Sequence, residues 1–190
     1  MNIGLLGELE VEAQLVLHGW HPIRLDSAQM AANADLIAIN RTKRIMIQVK
    51  ATNGLQSNSH GDFLGFGYST GYLRDKLPIF NAKDSPLIAD VVIGVRYIQV
   101  QTRFVVMPVA LAEKLCRLHC DYWFKVPTRT KTGKRSESFP VYLAFTRTPE
   151  AHGEHHDRIR KNLLAFENAW HVLDDEPDRL RNPEAWELIG

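Results

Sequence analysis

Two apolar runs, Ala34-Asp35-Leu36-Ile37-Ala38-Ile39 and Ile45-Met46-Ile47-Gln48-Val49-Lys50, flank the polar stretch Asn40-Arg41-Thr42-Lys43-Arg44. Two strand-length runs joined by so short a polar link read as a β-hairpin. Alternate side chains of a strand share a face, so Gln48 and Lys50 point the same way, and Asp35 can face them from the neighbouring strand. An acid, an amide oxygen and an ammonium then converge on one spot, which suits a divalent cation and a phosphate. That grouping points to phosphodiester hydrolysis. A plainer reading makes Asp35 a turn or cap residue and leaves Gln48 and Lys50 on the solvent face of an edge strand.

Around the hairpin the pattern alternates helix and strand. Leu5, Leu6, Leu9, Ala13, Val16 and Leu17 recur at helical spacing across residues 4–18, with Gly19 placed to end the helix,. His21 to Leu25 reads as a short strand. The segment from Asn53 to Pro86, rich in Gly, Ser and Asn, is too long for one structureless connection and is expected to be partly helical or a flap. Ile88 to Val109 is strongly β, with Arg96 and Tyr97 near its bend. Pro108 opens a helix through Leu111, Leu115 and Leu118. Lys125 to Phe145 is a basic loop between β-like segments, and Asp157 to Leu173 a last amphipathic helix before an acidic tail. This order predicts a mixed sheet with helices packed on it.

Composition narrows the setting. The chain has 190 residues, 45% of them hydrophobic, which suits one domain with a real core,. We divide it into a core over about residues 1–125 and a basic loop with C-terminal helix over about residues 126–190. Lys and Arg number 23 against 22 Asp and Glu, so any nucleic-acid binding must come from local patches. Two cysteines make no disulfide framework, no signal peptide is visible at the start, and no apolar stretch approaches a membrane span,. A cytoplasmic protein without a membrane partner is expected.

Taken together, Glu8 in the first helix, Asp35 on the next strand and Gln48-Val49-Lys50 on the strand after it resemble the PD-(D/E)XK nuclease superfamily. That superfamily includes restriction endonucleases and archaeal Holliday junction resolvases. Gly7-Glu8, Leu15 and Gly19-Trp20 look like its first helix, and the resemblance thins after residue 110. Ala34 stands where the family has proline. Gln48 stands where it has Asp or Glu, although a homing-endonuclease group carries glutamine there. The resemblance implies a restriction-endonuclease-like mixed β-sheet flanked by α-helices and a metal-dependent endonuclease acting on DNA. Magnesium, or manganese in its place, would be held by Asp35, Gln48, the Val49 carbonyl and Glu8. Lys50 would orient the attacking water and stabilise developing charge. With Gln48 the site holds one negative charge fewer, so metal affinity should be weaker and Glu8 more important. Glu10 and Glu12 rival Glu8 as the helix acid. A homodimer or higher homo-oligomer fits relatives that cut two strands. A nuclease-fold subunit that has lost activity and serves binding or assembly, and a nuclease acting on RNA, remain open.

Other residues carry weaker signals. Arg129, Lys131, Lys134 and Arg135 form a local cationic run that can track a phosphate backbone or stand as a solvated hairpin tip,. The aromatic segment from His60 to Tyr72 offers either stacking rings or core. Cys116, His119 and Cys120 share a helical face, with too few soft ligands nearby for zinc, and read as a buried face. His152, His155 and His156 read as a surface cluster. Trp170, Trp186 and Phe166 are expected to fix the C-terminal helix to the core.

Overall fold

The first helix, α1 (Ile3–Leu17), begins where the Asn2 side chain accepts from the Gly4 and Leu5 N–H groups,. It stops at Gly19, whose φ is 80°. From there Trp20 N–H returns to the Leu15 carbonyl at 2.9 Å and Gly19 N–H to that of Val16 at 3.0 Å. This pairing needs a left-handed residue after the cap, which glycine adopts without strain. It leaves Trp20 buried as the chain enters β1 (His21–Arg24).

Which side of α1 is buried differs from expectation. Gly7, Val11 and Leu15 face inward, whereas Leu5, Leu9, Ala13, Val16 and Leu17 are exposed. Gly7 explains the choice: a Cβ there would meet the Ala51 Cβ at 2.6 Å, so the helix axis sits too close to the sheet for a leucine stripe.

The computed structural model describes residues 2–25, 34–53, 63–66, 72–74, 77–79, 89–98, 101–125, 141–145 and 153–190. The expected hairpin is present as β2 (Leu36–Ile39) and β3 (Arg44–Asn53), in antiparallel register from Leu36 opposite Ile47 to Ile39 opposite Arg44. Asn40 closes its turn, accepting from the Thr42 and Lys43 N–H groups,. Beyond them lie β7 (Val91–Ile98) and β8 (Gln101–Pro108), giving a five-stranded sheet in the order β1-β2-β3-β7-β8. β3 and β7 run parallel and the other neighbours antiparallel. A mixed α/β sheet covered on both faces explains why β3 and β7 read as nearly continuous apolar runs.

One face packs under α1, with Val11, Leu15, Ile47, Val49, Val91, Ile93 and Val95 in its core. The other carries Val92, Val105 and Met107 beneath α2 (Val109–Lys125), α3 (Gly153–Ala165) and a two-stranded sheet of β4 (Phe63–Phe66) with β9 (Val141–Ala144). Leu64 of β4 fits over Gly94, where a Cβ would come within 2.6 Å of it. Strands β5 (Tyr72–Arg74) and β6 (Leu77–Ile79) pair with each other. The described parts of the Asn53 to Pro86 segment are therefore strands, not helix. Pro108 is still the last residue of β8, and α2 starts one residue later than expected.

The helix expected from Asp157 to Leu173 begins and ends earlier, as α3. Its chain instead turns at Phe166 to bond β8: Val106 N–H donates to the Phe166 carbonyl at 3.0 Å and Asn168 N–H to that of Phe104 at 2.8 Å. Asn168 takes a positive φ of 53° to do so. A strand edge with unpaired main-chain groups thus outcompetes continued helix at this point. A 3₁₀ turn (Trp170–Asp174) and α4 (Pro177–Arg181) follow. Buried Asp90 ties this end to the sheet, accepting from Met46 N–H at 2.7 Å and Arg181 Nε at 2.5 Å. Among the described residues, no helix is long and apolar enough to cross a membrane.

Candidate active site

Gln48 and Lys50 alternate with Ile47, Val49 and Ala51, whose side chains meet α1, so they point from the opposite face of the sheet,. β3 lies in the interior of the sheet and Gln48 is only 4% exposed, which removes the edge-strand reading. Asp35 sits just before β2. Its N–H donates to the Ile47 carbonyl at 2.9 Å, and its Oδ2 accepts from Val49 N–H at 2.6 Å. Strand N–H groups lie in the sheet plane, so this bond holds the carboxylate alongside β3, between the positions of Gln48 and Lys50. Asp35 is in this sense a cap as well, satisfying an N–H that β2 ends too early to reach. Val49 C=O has the same parity as the Ile47 carbonyl and emerges on the Asp35 side.

Burial shapes the charges here. It raises the Asp35 carboxyl above its ordinary pKa, against the opposing effects of the Val49 N–H bond and the Lys50 charge. It lowers the Lys50 ammonium, which the Asp35 charge partly restores. The Glu8 carboxyl is raised first by burial and then by the Asp35 charge, while Arg24 acts the other way and Glu12 adds to the rise. Glu8 therefore lies within the field of Asp35, although α1 packs on the face opposite Gln48 and Lys50. The rival acids are engaged elsewhere: Glu12 takes Arg24 Nε and Nη2 at 2.8 and 2.5 Å, and Glu10 acts on Tyr97. Glu8 keeps a looser contact with Arg24, at 4.0 Å.

The donors suit a hard cation. Among the described residues Gln48 Oε1 is buried with no hydrogen-bond donor, an arrangement that costs about 1–3 kcal/mol unless a donor or a cation meets its lone pairs,. Two carboxylates, an amide oxygen and a main-chain carbonyl form an all-oxygen set of the kind magnesium takes. Among the described residues, no three His, Cys, Asp or Glu side chains gather into a metal cage.

No protein-family model and no curated protein matches the chain. Among solved structures it is similar to a bacterial homing endonuclease, I-Ssp6803I, at 14% identity over 90% of each chain with a TM-score of 0.44.

The remaining expected residues separate clearly. Arg129, Lys131, Lys134, Arg135 and His152 lie outside the described residues, as does much of the His60 to Tyr72 segment. Cys116 and Cys120 are thiols buried in the α2 core, and burial pushes the Cys120 thiol up to about 12. His155 and His156 are no surface cluster. They pack from α3 onto His119 and Tyr122 of α2, with ring centroids 5.6 Å apart for His119–His155 and 3.9 Å for Tyr122–His155. Stacking against α2 wins because α3 starts early enough to bring both histidines onto its inner turn.

The sequence reading gave two residues no part in the site, and it put one of them, Arg96, near a bend although it lies inside β7. Arg24 on β1 balances Glu8 and Glu12. Arg96 lies on the face shared with Lys50, two positions beyond Gly94, which pairs with Lys50. It is 7% exposed, with its guanidinium 3.7 Å from the Phe145 ring centre. An arginine at an alternating position of an otherwise apolar strand was the available signal.

Proposed function

We propose that this protein is a magnesium-dependent endonuclease that hydrolyses phosphodiester bonds of DNA. The observation that supports the reading best is the Asp35–Val49 bond. It sets a carboxylate in the sheet plane beside a buried, unsatisfied amide oxygen and a half-buried ammonium. Asp35, Gln48 Oε1, the Val49 carbonyl and Glu8 would hold the cation. When bound, such a cation neutralises phosphate charge and makes water a better nucleophile near neutral pH. Lys50, half-buried beside Asp35, orients the attacking water and stabilises negative charge developing on the oxygens around phosphorus. Arg96 adds a second buried cation to the same face.

Digestion of supercoiled, linear and branched DNA with and without magnesium tests the reading. Asp35→Asn keeps an oxygen for Val49 N–H but removes the charge, so it and Lys50→Ala should abolish cleavage while circular dichroism stays native. Cleavage surviving both substitutions would dismiss the site. The neutral Gln48 favours one second reading, a nuclease-fold subunit that binds nucleic acid without cutting it. Magnesium-independent binding with no cleavage of any substrate, DNA or RNA, would select that one.

A further inference from the structure

Three charged side chains meet where α1 passes β1. Arg24 is the last residue of β1, its main chain paired with Leu36, and the next N–H, of Leu25, donates to the Asp35 carbonyl at 3.0 Å. From beside Asp35 the Arg24 side chain reaches Glu8 and Glu12 of α1, which lie one helical turn apart,. The two acids are treated unequally. Glu12 Oε1 accepts from Arg24 Nε at 2.8 Å and from Nη2 at 2.5 Å, so it takes a whole edge of the guanidinium,. Glu8 Oε2 stands 4.0 Å from the same Nε, beyond hydrogen-bonding reach,. One guanidinium edge lies near both carboxylates, so what Glu12 holds is withheld from Glu8.

We propose that Glu12 is a positioning residue, which keeps the Arg24 guanidinium off Glu8 and leaves the Glu8 carboxylate open to the cation of the site. This role depends on the proposed reading of Glu8 as a metal ligand. A carboxylate engaged by a guanidinium must release it before it can meet a hard cation, directly or through water. Gln48 brings no charge, so Glu8 is the anion that would join Asp35, and its availability matters more here than in a site with a third acid. Without the Glu12 charge, the acid left within reach of Arg24 among the described residues is Glu8. An ion pair that merely tied β1 to α1 could use either acid equally well. The side chains concerned are partly exposed, and such pairs are weak, so Glu12 tunes the site rather than switching it,.

NMR of the Arg24 Nε–H group in the metal-free chain and calorimetric magnesium titration test it together. Without metal, Glu8→Gln alone should leave the Arg24 signal nearly unmoved. In the Glu12→Gln chain the signal should shift, and adding Glu8→Gln there should shift it again, because the guanidinium has moved to Glu8. A signal that ignores Glu8→Gln in both backgrounds overturns the proposal. With magnesium, Glu12→Gln should weaken binding about two- to fivefold, and adding Arg24→Gln should restore it. The loss should vanish in the Glu8→Gln background. A loss that persists there comes from charge acting through space, and overturns the proposal. So does one that Arg24→Gln fails to restore, which marks a merely structural role. Magnesium affinity indifferent to Glu8→Gln in the otherwise natural chain overturns it differently, by removing Glu8 from the metal. The metal-free signal still reports the move of Arg24 in that case, so the two failures are distinguishable.

Discussion

At the scale of single residues, Gln48 and Asp35 govern what the site can do. Gln48→Glu adds the anion that the buried position lacks, so calorimetric titration should show tighter magnesium binding than in the natural chain. Equal affinities would mean that Gln48 does not touch the metal. Without metal the same substitution should lower stability, because it buries a third carboxyl near two whose pKa values are already raised,. The pH profile follows from the same directions. Cleavage needs Asp35 and Glu8 ionised, so its acid limb should lie above the ordinary carboxylate range. It needs Lys50 protonated, so its alkaline limb should lie below the ordinary lysine value,. Stability runs the other way. A carboxyl with a raised native pKa gives its full stabilisation below the unfolded value and loses it as pH rises through the native one. Asp35→Asn should therefore melt at a higher temperature than the natural metal-free chain at neutral pH. A lower melting temperature would contradict the burial penalty assigned to this carboxylate.

Between helices α2 and α3 the histidines act as a unit. Burial, with the His156 charge adding to it, lowers His119 to about 4 from an ordinary 6.5. A depressed histidine stabilises the fold above its unfolded pKa and loses that contribution as pH falls toward the native value. Denaturation at pH 7 and at pH 4.5 should differ by up to ~3 kcal/mol on this account. His119→Phe should flatten that part of the profile, and an unchanged profile would clear His119 of the effect. This contact shows where legibility in the sequence ended. The β2–β3 hairpin was readable because its pairing is local and its turn is polar. That Gln48 and Lys50 share a face followed from strand alternation, whereas Asp35 lies just before β2 and is held by its bond from Val49 N–H,. His119 and the α3 histidines are more than thirty residues apart, and no period in the chain links them. In α1 the periodicity was visible, but two apolar stripes share the helix, and only the approach of Gly7 to Ala51 decides which one is inside. The end of α3 was hidden for a related reason: it is set by the hydrogen-bonding needs of β8, a strand far upstream.

For the whole molecule, net charge is +1, so no global field draws in nucleic acid,. Binding should then depend disproportionately on the run from Arg129 to Arg135. Replacing Lys131, Lys134 and Arg135 together should weaken DNA binding for all sequences alike. The slope of log affinity against log salt should become shallower by about 0.9 for each phosphate that is no longer neutralised. Normal affinity with an unchanged slope would leave this cationic run without a part in binding. A last consequence comes from the Phe166–Asn168 turn. It occupies main-chain groups of β8 at one border of the sheet, and at the other border β1 is four residues long and carries Pro22, which has no N–H to offer,. Neither border is a template for a stranger's strand. The five-stranded sheet thereby resists the edge-to-edge polymerisation that leads to fibrils,.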